Sequence, residues 1–198
     1  MDLADQDILH NIVKKCVKGD RKAQKELYKK YYSKMMNVCY RYSKKTEDAE
    51  DLLNSHKSVI AFLGFVKVFT NLSRYDFNGS LEGWIRRIMV NTAIDFYRKN
   101  KNVHFVDEEG DYILETSKVE SADHIYSQFG VDEIMDAIRQ LSPVYKTVFN
   151  MYVIDGYKHK EIAKHLNISE GTSKSNLAKA KNNLREILIK KEKRYYDE

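Results

Sequence analysis

Apolar residues recur every three or four positions along most of the chain, which is the spacing that one buried face of an α-helix requires. The first such segment covers residues 7–17, and a longer one extends from residue 20 to about residue 43. A third follows the acidic run at 47–51, and a fourth extends from residue 81 to about residue 101. With only one proline and eight glycines in 198 residues, these periodicities predict an all-α protein.

The last third of the chain predicts three helices separated by two tight turns. Ser142 and Pro143 suit the start of the first helix, and Asp155 with Gly156 ends it. A short helix follows, and the turn 167–169 precedes a long final helix. Their apolar positions are Val144, Val148, Phe149, Tyr152, Val153, Ile162, Ala163, Leu166, Leu177, Ala180, Leu184 and Leu188. This is the helix-turn-helix pattern, in which the second helix of the pair enters the major groove of DNA.

Polar side chains occupy the first turns of that final helix. Hydroxyl groups and lysines there suit contacts with phosphates, and the Asn176 amide suits a base edge. Residues 144–198 contain 12 Lys/Arg against 7 Asp/Glu, a net charge of +5 that is compatible with DNA. The alternative is a helical hairpin with a solvated basic face. The candidate DNA-binding residues are Ser169, Thr172, Ser173, Lys174, Ser175, Asn176 and Lys179.

The helix predicted at residues 81–101 is basic, and the loop before it carries aromatic residues. From Trp84 to Lys101 there are five Lys/Arg and one Asp, a net charge of +4. Beside Tyr75 and Phe77, such cations would suit the capture of a DNA strand, with cations on its backbone and rings on its unstacked bases. The alternative is a group of core aromatic residues beside a solvated basic edge.

Acidic residues dominate the segment between these two helical parts. Residues 102–136 contain ten Asp/Glu and one Lys, a net charge of −9, and periodicity is weak until about residue 131. The chain therefore divides into a helical domain at 1–101, a flexible acidic linker at 102–130 and the helix-turn-helix domain at 131–198.

The overall composition limits the classes of protein that the chain can represent. The chain is 42% hydrophobic and 32% charged, which is globular, and its net charge of +5 permits a nucleic-acid partner. Cys16 and Cys39 lie on apolar helix faces and are predicted to be buried thiols in a reducing compartment. An acidic N-terminus and the lack of a long apolar run predict a cytoplasmic protein with no membrane insertion. Without a nucleophile–base pair, metal-ligand cluster or phosphate loop, we expect no enzyme activity, no cofactor and no metal.

The helix-turn-helix segment resembles the promoter-reading region 4 of small bacterial sigma factors, the extracytoplasmic-function (ECF) kind. The turn of that family has the pattern S-x-G-T-x-K-S, which this chain matches at residues 169–175. Asn176 stands where the family frequently has arginine. The resemblance implies that this domain binds the minus-35 promoter element.

Two further segments resemble region 2 of the same family. Trp84-Ile85 and the following N-x-A-x-D-x-x-R run at 91–98 are similar to the helix that, with the loop before it, reads the minus-10 element and holds a flipped base. The residues to which this implies a minus-10 role are Tyr75, Phe77, Trp84, Arg87, Asn91, Thr92, Asp95 and Arg98. DAEDLL and GFVKVF are similar to the segment that binds core RNA polymerase, which implies that role for Asp48, Glu50, Asp51, Leu52, Leu53, Phe65, Val66 and Phe69.

The polymerase-binding segment departs from the family pattern in its spacing. Members usually have about two residues between the Leu-Leu and Gly-Phe pairs, whereas this chain has ten, at 54–63. Eight extra residues in a helix add two turns and roughly 80° of rotation. Either the insert forms a loop, or the helix lengthens and its binding face is rebuilt.

The resemblance implies a sigma factor whose partners are core RNA polymerase, promoter DNA and an inhibitory anti-sigma factor. The acidic linker would then occupy a basic channel of the polymerase or shield the DNA-binding faces, unless it serves solubility alone. Three other classes stay open: a helix-turn-helix regulator that acts without polymerase, a DNA enzyme such as a serine recombinase, and a helical adaptor.

Overall fold

The computed structural model describes the backbone of residues 3–42, 49–101 and 129–197, and the side chains of 8–42, 59–96, 98 and 129–193. All regular structure in these residues is helical, so the predicted all-α class is confirmed. The chain divides into two units, Met1–Asn100 and Lys101–Glu198. Of the predicted acidic linker, only its last two residues lie within the described part. No helix within that part is both long and apolar enough to cross a lipid bilayer.

The described residues of unit 1 form four α-helices and one short 3-10 helix. They are α1 (Leu3–Val17), α2 (Arg21–Tyr42), α3 (Ala49–Asn71), the 3-10 helix Leu72–Arg74 and α4 (Leu81–Lys101). Helix α2 packs against α1 and α3, and the 3-10 helix contacts both α1 and α3. The core therefore lies among the inner faces of these helices, where Leu27, Met35, Ile60, Val68, Ile85 and Met89 are all buried.

Two side-chain caps begin helices of unit 1. The Asp20 carboxylate accepts hydrogen bonds from the backbone N–H groups of Lys22 and Ala23, at 2.8 and 3.1 Å, at the start of α2. The Ser80 hydroxyl accepts a hydrogen bond of 3.0 Å from the backbone N–H of Gly83 at the start of α4. These bonds satisfy N–H groups that have no partner within their own helix.

The insert at residues 54–63 is part of one continuous helix, α3, and not a loop. Ile60, Ala61, Phe65 and Val68 point into the core. On the opposite side, Val59, Phe62, Leu63 and Val66 are exposed, with Phe62 at 64%. The helix has therefore lengthened and carries apolar residues on two faces. We call these four exposed residues the α3 stripe.

The Met89 side chain of α4 packs against α3 at Gly64. Gly64 is buried, and a Cβ atom built on it would collide with Sδ of Met89. The absence of a side chain at Gly64 therefore leaves room for the Met89 side chain. Lys67 of α3 and Asp95 of α4 also form an ion pair of 3.5 Å.

Three details of unit 1 differ from the prediction or refine it. The loop predicted before α4 is short, because α3 continues to Asn71 and the 3-10 helix follows. Ile8, the first apolar residue of the helix predicted at 7–17, is exposed and does not belong to the buried face. Cys16 and Cys39 are free and buried, as predicted, and burial is the main cause that raises their thiol pKa values to about 11 and about 12.

Unit 2 contains α5 (Val131–Gln140), α6 (Pro143–Phe149), α7 (His159–Leu166) and α8 (Glu170–Asp197). Helices α5, α6 and α7 all pack against α8. Leu177, Ala180, Leu184 and Leu188 of α8 are buried, as the apolar spacing predicted. An ion pair of 3.1 Å between Glu133 of α5 and Lys191 further joins α5 to α8.

Helix α6 continues into a wide π-helical turn, Asn150–Ile154. The backbone N–H of Asp155 donates to the carbonyl of Asn150 at 2.9 Å, a bond that spans five residues. Because a π-helical turn contains more residues than an α-helical turn, the positions inside it rotate away from the 3.6-residue period. Asn150 is therefore buried, whereas Tyr152 and Val153, predicted to be core residues, are exposed.

The turn between α7 and α8 has the predicted form. Asn167 ends α7 in the left-handed conformation, at φ 56°. The Ser169 hydroxyl accepts a hydrogen bond of 2.8 Å from the backbone N–H of Thr172 and so caps α8. Ser142 at the start of α6 makes no such side-chain bond; its backbone carbonyl instead accepts from the Lys146 N–H at 2.9 Å.

Candidate nucleic-acid interface

The exposed part of the helix-turn-helix begins at the cap of α8. Ser169, Lys174 and Ser175 are exposed, and Thr172 and Lys179 are partly so. The hydroxyls of Ser169 and Thr172 lie 2.8 Å apart, and the Ser175 hydroxyl donates to the Thr172 carbonyl at 3.0 Å. The start of α8 therefore presents hydroxyl groups and a lysine at the positive end of a helix dipole, which favours an anionic ligand.

Ser173 and Asn176 were assigned to DNA from the sequence, and the structure corrects both assignments. Their exposed fractions are 0% and 1%, because both lie on the side of α8 that faces the interior of unit 2. The Asn176 Nδ2 atom has no hydrogen-bond partner among the residues that the structure describes. Neither side chain is in a position to contact a DNA molecule lying on the exposed face of α8.

Ser173 contacts His159, at the start of α7. The Ser173 Oγ and His159 Nδ1 atoms lie 2.9 Å apart. The His159 ring also stacks on Tyr152, with centroids 4.5 Å apart. Burial and, next, the charge of Lys174 lower the pKa of His159, and Glu170 opposes them. His159 is therefore a partly buried packing residue of the domain and is mainly neutral at pH 7.

The loop before α4 is organised by a row of aromatic rings. Tyr75 is buried, and its hydroxyl donates to the Gly79 carbonyl at 2.8 Å. The Tyr75 ring lies 5.0 Å from Phe77 and 5.6 Å from Trp84, between ring centroids. Phe77 and Trp84 are partly exposed, and the Phe77 ring also contacts His10 of α1, at 4.2 Å. We call these four residues the aromatic row.

Phe77 has a backbone conformation that bulky residues rarely adopt. Its φ angle is 62°, in the left-handed region. Such a conformation costs on the order of 1–3 kcal/mol and persists only where the surrounding contacts fix it. Asp76 supplies one such contact, since its carboxylate accepts the Asn78 N–H at 3.0 Å and closes the turn around Phe77.

Helix α4 carries the remaining candidates for the minus-10 element. Arg87 and Arg98 are exposed, and Asn91 and Asp95 are partly so. Thr92 is buried, and its hydroxyl donates to the Ile88 carbonyl at 2.7 Å, which corrects its assignment to the DNA-facing side. Asp95 pairs with Lys67 of α3, so the carboxylate helps to join the two helices.

The candidate polymerase-binding residues lie on or before α3. Asp48 lies outside the described residues, as do the side chains of Glu50, Asp51, Leu52 and Leu53. The structure corrects the assignment of Phe65, which is buried with its ring 4.6 Å from Tyr28 of α2. Val66 is exposed, and Phe69 is partly buried beside Phe65.

Comparison with known families identifies both units. The family model described as "Sigma-70 region 2" matches residues 27–103, which include α4 and the loop before it. The model described as "Sigma-70, region 4" matches residues 132–184, which include the helix-turn-helix. The chain is also 29% identical over 184 residues to the "ECF RNA polymerase sigma factor SigW" of Bacillus subtilis (strain 168), covering 89% of this chain and 94% of that protein. The chain belongs to the ECF sigma factors.

Other similar proteins are also sigma factors. The "ECF RNA polymerase sigma factor SigE" of Mycolicibacterium smegmatis is 27% identical over 167 residues, which are 83% of this chain and 61% of that protein. A solved structure of the sigma factor RpoE in complex with the anti-sigma factor NepR from Bartonella quintana aligns with a TM-score of 0.49 at 16% identity, covering 83% of this chain and 96% of that chain.

Two features of this sigma factor were not assigned as sites from the sequence. The α3 stripe follows the helical spacing i, i+3, i+4, i+7, and of its residues only Val66 was assigned to polymerase binding, whereas Val59, Phe62 and Leu63 were not. His10 precedes the residues that match the region 2 model, and no motif marks it. Only the folded chain places its ring against Phe77.

Proposed function

We propose that this sigma factor binds core RNA polymerase through unit 1 and directs it to promoters, which it helps to open. Unit 2 would hold the minus-35 element, and α4 with the aromatic row would hold the melted minus-10 strand. The observation that carries the proposal is that the region 2 and region 4 matches fall on units with partly exposed aromatic rings and an exposed helix-turn-helix, respectively. We also propose that it acts in the cytoplasm, where these partners are found.

The minus-35 contact is supported by the exposed start of α8. Lys174 and Lys179 would neutralise phosphates, and the hydroxyls of Ser169, Thr172 and Ser175 would fix the register of α8 on the duplex. With Ser173 and Asn176 buried, reading of bases falls to the exposed positions of this helix.

The minus-10 contact is supported by rings and cations on one side of unit 1. Partly exposed Phe77 and Trp84 offer ring surfaces to an unstacked base, while exposed Arg87 and Arg98 carry positive charge that would attract the backbone of the strand. Asn91 and Asp95 lie on the same helix as the two arginines. Binding of the flipped base would offset an unpairing cost of a few kcal/mol, and no covalent chemistry is involved.

The polymerase contact is supported by the α3 stripe. At 100° per residue, its four residues fall within about 100° of one another on one side of the helix, which suits an apolar helix of a partner. The acidic residues Asp48, Glu50 and Asp51 precede the stripe and would suit basic side chains on that partner. Val66 belongs to both the stripe and the family's binding segment.

A titration of the labelled full chain with core RNA polymerase tests this contact. Tight, saturable binding is expected, and Phe62→Ser should weaken it by about 10- to 100-fold, since an exposed aromatic anchor is lost. Val17→Ser is the matched control, because Val17 is an exposed apolar residue outside the stripe. Deletion of residues 55–62 removes Val59 and Phe62 and rotates the two ends of α3 by about 80°, so it should abolish binding.

The alternative function is a helix-turn-helix regulator that binds duplex DNA without polymerase. It is not favoured, because it leaves the region 2 match at residues 27–103 without a role. It would become the better proposal if the folded chain and the 55–62 deletion variant both failed to bind core polymerase. An anti-sigma factor is a further proposed partner, on family resemblance alone.

A further inference from the structure

His10 contacts the one residue of the loop before α4 whose backbone is strained. Its ring lies 4.2 Å from the Phe77 ring, between centroids, with the two planes at 74°. That is an edge-to-face arrangement, which is favourable for two aromatic rings. On its other side, Phe77 meets Tyr75 at 5.0 Å. The Phe77 side chain is therefore held between α1 and the buried end of its own loop.

The contact with His10 helps to hold Phe77 at φ 62°, because phenylalanine does not favour this backbone angle by itself. Glycine adopts this region without cost, and asparagine often does, but phenylalanine does not. The turn bond from Asp76 to Asn78 fixes the backbone on both sides of Phe77 but does not touch its ring. Within the described residues, His10 is the group outside the loop with a ring contact to Phe77.

From this geometry we propose that His10 is a positioning residue for base capture. It holds the Phe77 ring in place beside Tyr75, so that the loop presents a preformed stacking surface to an unstacked base of the promoter strand. The proposal rests on the proposed minus-10 function and adds to it a residue from α1, outside the part matched by the region 2 model. Without His10, the Phe77 ring would no longer be held in this position. Binding of a base would then carry the entropic cost of ordering the loop.

The test uses the full chain assembled with core polymerase. The probe is a labelled single-stranded DNA of about twelve nucleotides, selected from a randomised pool by the unaltered holoenzyme, together with derivatives that are abasic at one position each. His10→Ala should weaken binding of the intact probe by about tenfold and leave binding of the critical abasic probe unchanged, because only base stacking is lost. His10→Phe, which keeps a ring, should restore most of the affinity.

Asn11→Ala is the matched control, because Asn11 is the exposed neighbour of His10 on α1. A general structural role for His10 would weaken the intact and abasic probes equally, and that result would overturn the proposal. So would a folded His10→Ala variant with unchanged affinity for both probes. If His10→Ala does not fold, His10→Leu, an apolar side chain without a ring, takes its place under the same criteria.

A double-mutant cycle with Phe77→Asn isolates the pair. Asparagine tolerates the left-handed backbone but removes the ring and its stacking surface, so the single variant should lose at least as much affinity as His10→Ala. The double variant should lose no more than Phe77→Asn alone, since His10 acts only through that ring. Losses that multiply would contradict the coupling. If the unaltered holoenzyme binds every abasic probe as well as the intact one, the minus-10 function itself fails, which is a distinct outcome.

Discussion

The hydroxyl of Ser173 lies 2.9 Å from Nδ1 of His159, and this contact joins the two helices of the helix-turn-helix from the inside. Ser173 is in the first turns of α8, and His159 is the first residue of α7. The helix proposed to enter DNA is thus fixed to its neighbour by a partly buried polar contact near its N-terminal end. Such a contact is sensitive to the protonation state of the imidazole.

The stability of unit 2 should depend on pH through His159. Burial and Lys174 hold its pKa below the ordinary value of 6.5, so the unfolded chain takes up a proton more readily than the folded one. The contribution of neutral His159 to the free energy of unfolding is therefore complete above pH 6.5. It is lost progressively as the pH falls through the folded-state pKa. His159→Gln should remove this part of the pH dependence. The measurement is the free energy of unfolding of both proteins from about pH 7.5 to about pH 5; parallel curves would contradict the prediction.

Replacing Asn176 with leucine should leave promoter preference unchanged. The side chain is buried, its Nδ2 atom has no partner among the described residues, and leucine has the same branched shape. Removal of an unsatisfied buried donor should leave the free energy of unfolding the same or raise it by about 1–2 kcal/mol. Binding to promoter DNA selected by the unaltered holoenzyme, and to single-base variants of it, provides the check. A loss of discrimination at one base pair would return Asn176 to the role of base reader.

Lys174→Glu should weaken promoter binding without changing stability. Lys174 is exposed near the start of α8. Loss of one phosphate contact should reduce the magnitude of the slope of log K against log [salt] by about one unit. Lys190→Glu makes the same change in charge about 24 Å farther along α8 and about 160° around it. This control should bind nearly as the unaltered protein does. Equal losses in both variants would indicate a general charge effect instead of a contact at the turn.

Gly64→Ala should destabilise unit 1. The added Cβ atom would collide with the Met89 side chain, and such overpacking typically costs about 1–3 kcal/mol. Gly83→Ala is the control, since a Cβ atom there would lie 3.7 Å from the Ser80 hydroxyl, an ordinary contact, and alanine favours a helix. Thermal unfolding of both variants provides the comparison. A Gly64→Ala protein as stable as the Gly83→Ala protein would show that Met89 moves aside at little cost.

Local chemistry made the ends of the helices predictable. Asp20, Ser80 and Ser169 cap the helices that follow them because a cap depends on residues within three positions of one another. The buried row of α8 was predictable too, since leucine and alanine at helical spacing define a single apolar face, which must be the buried one.

The assignments that failed depend on packing between elements. Asn176 is polar, and nothing in the neighbouring sequence indicates that packing buries it. Tyr152 and Val153 left the predicted core because a π-helical turn changed the period. In α3, apolar residues occupy two faces, so the sequence could not decide whether Phe65 or Phe62 would be buried. The strained conformation of Phe77 depends on a ring from another helix.

The two buried thiols make this protein convenient to label. A maleimide reacts with a thiolate, and a thiol pKa of about 11 leaves only about one part in ten thousand of Cys16 in that form at pH 7, with less for Cys39. Cysteines introduced at exposed Asn11 and Lys190 would therefore take up fluorophores selectively while both native thiols stay in place. Energy transfer between such dyes would report the separation of the two units while a promoter opens.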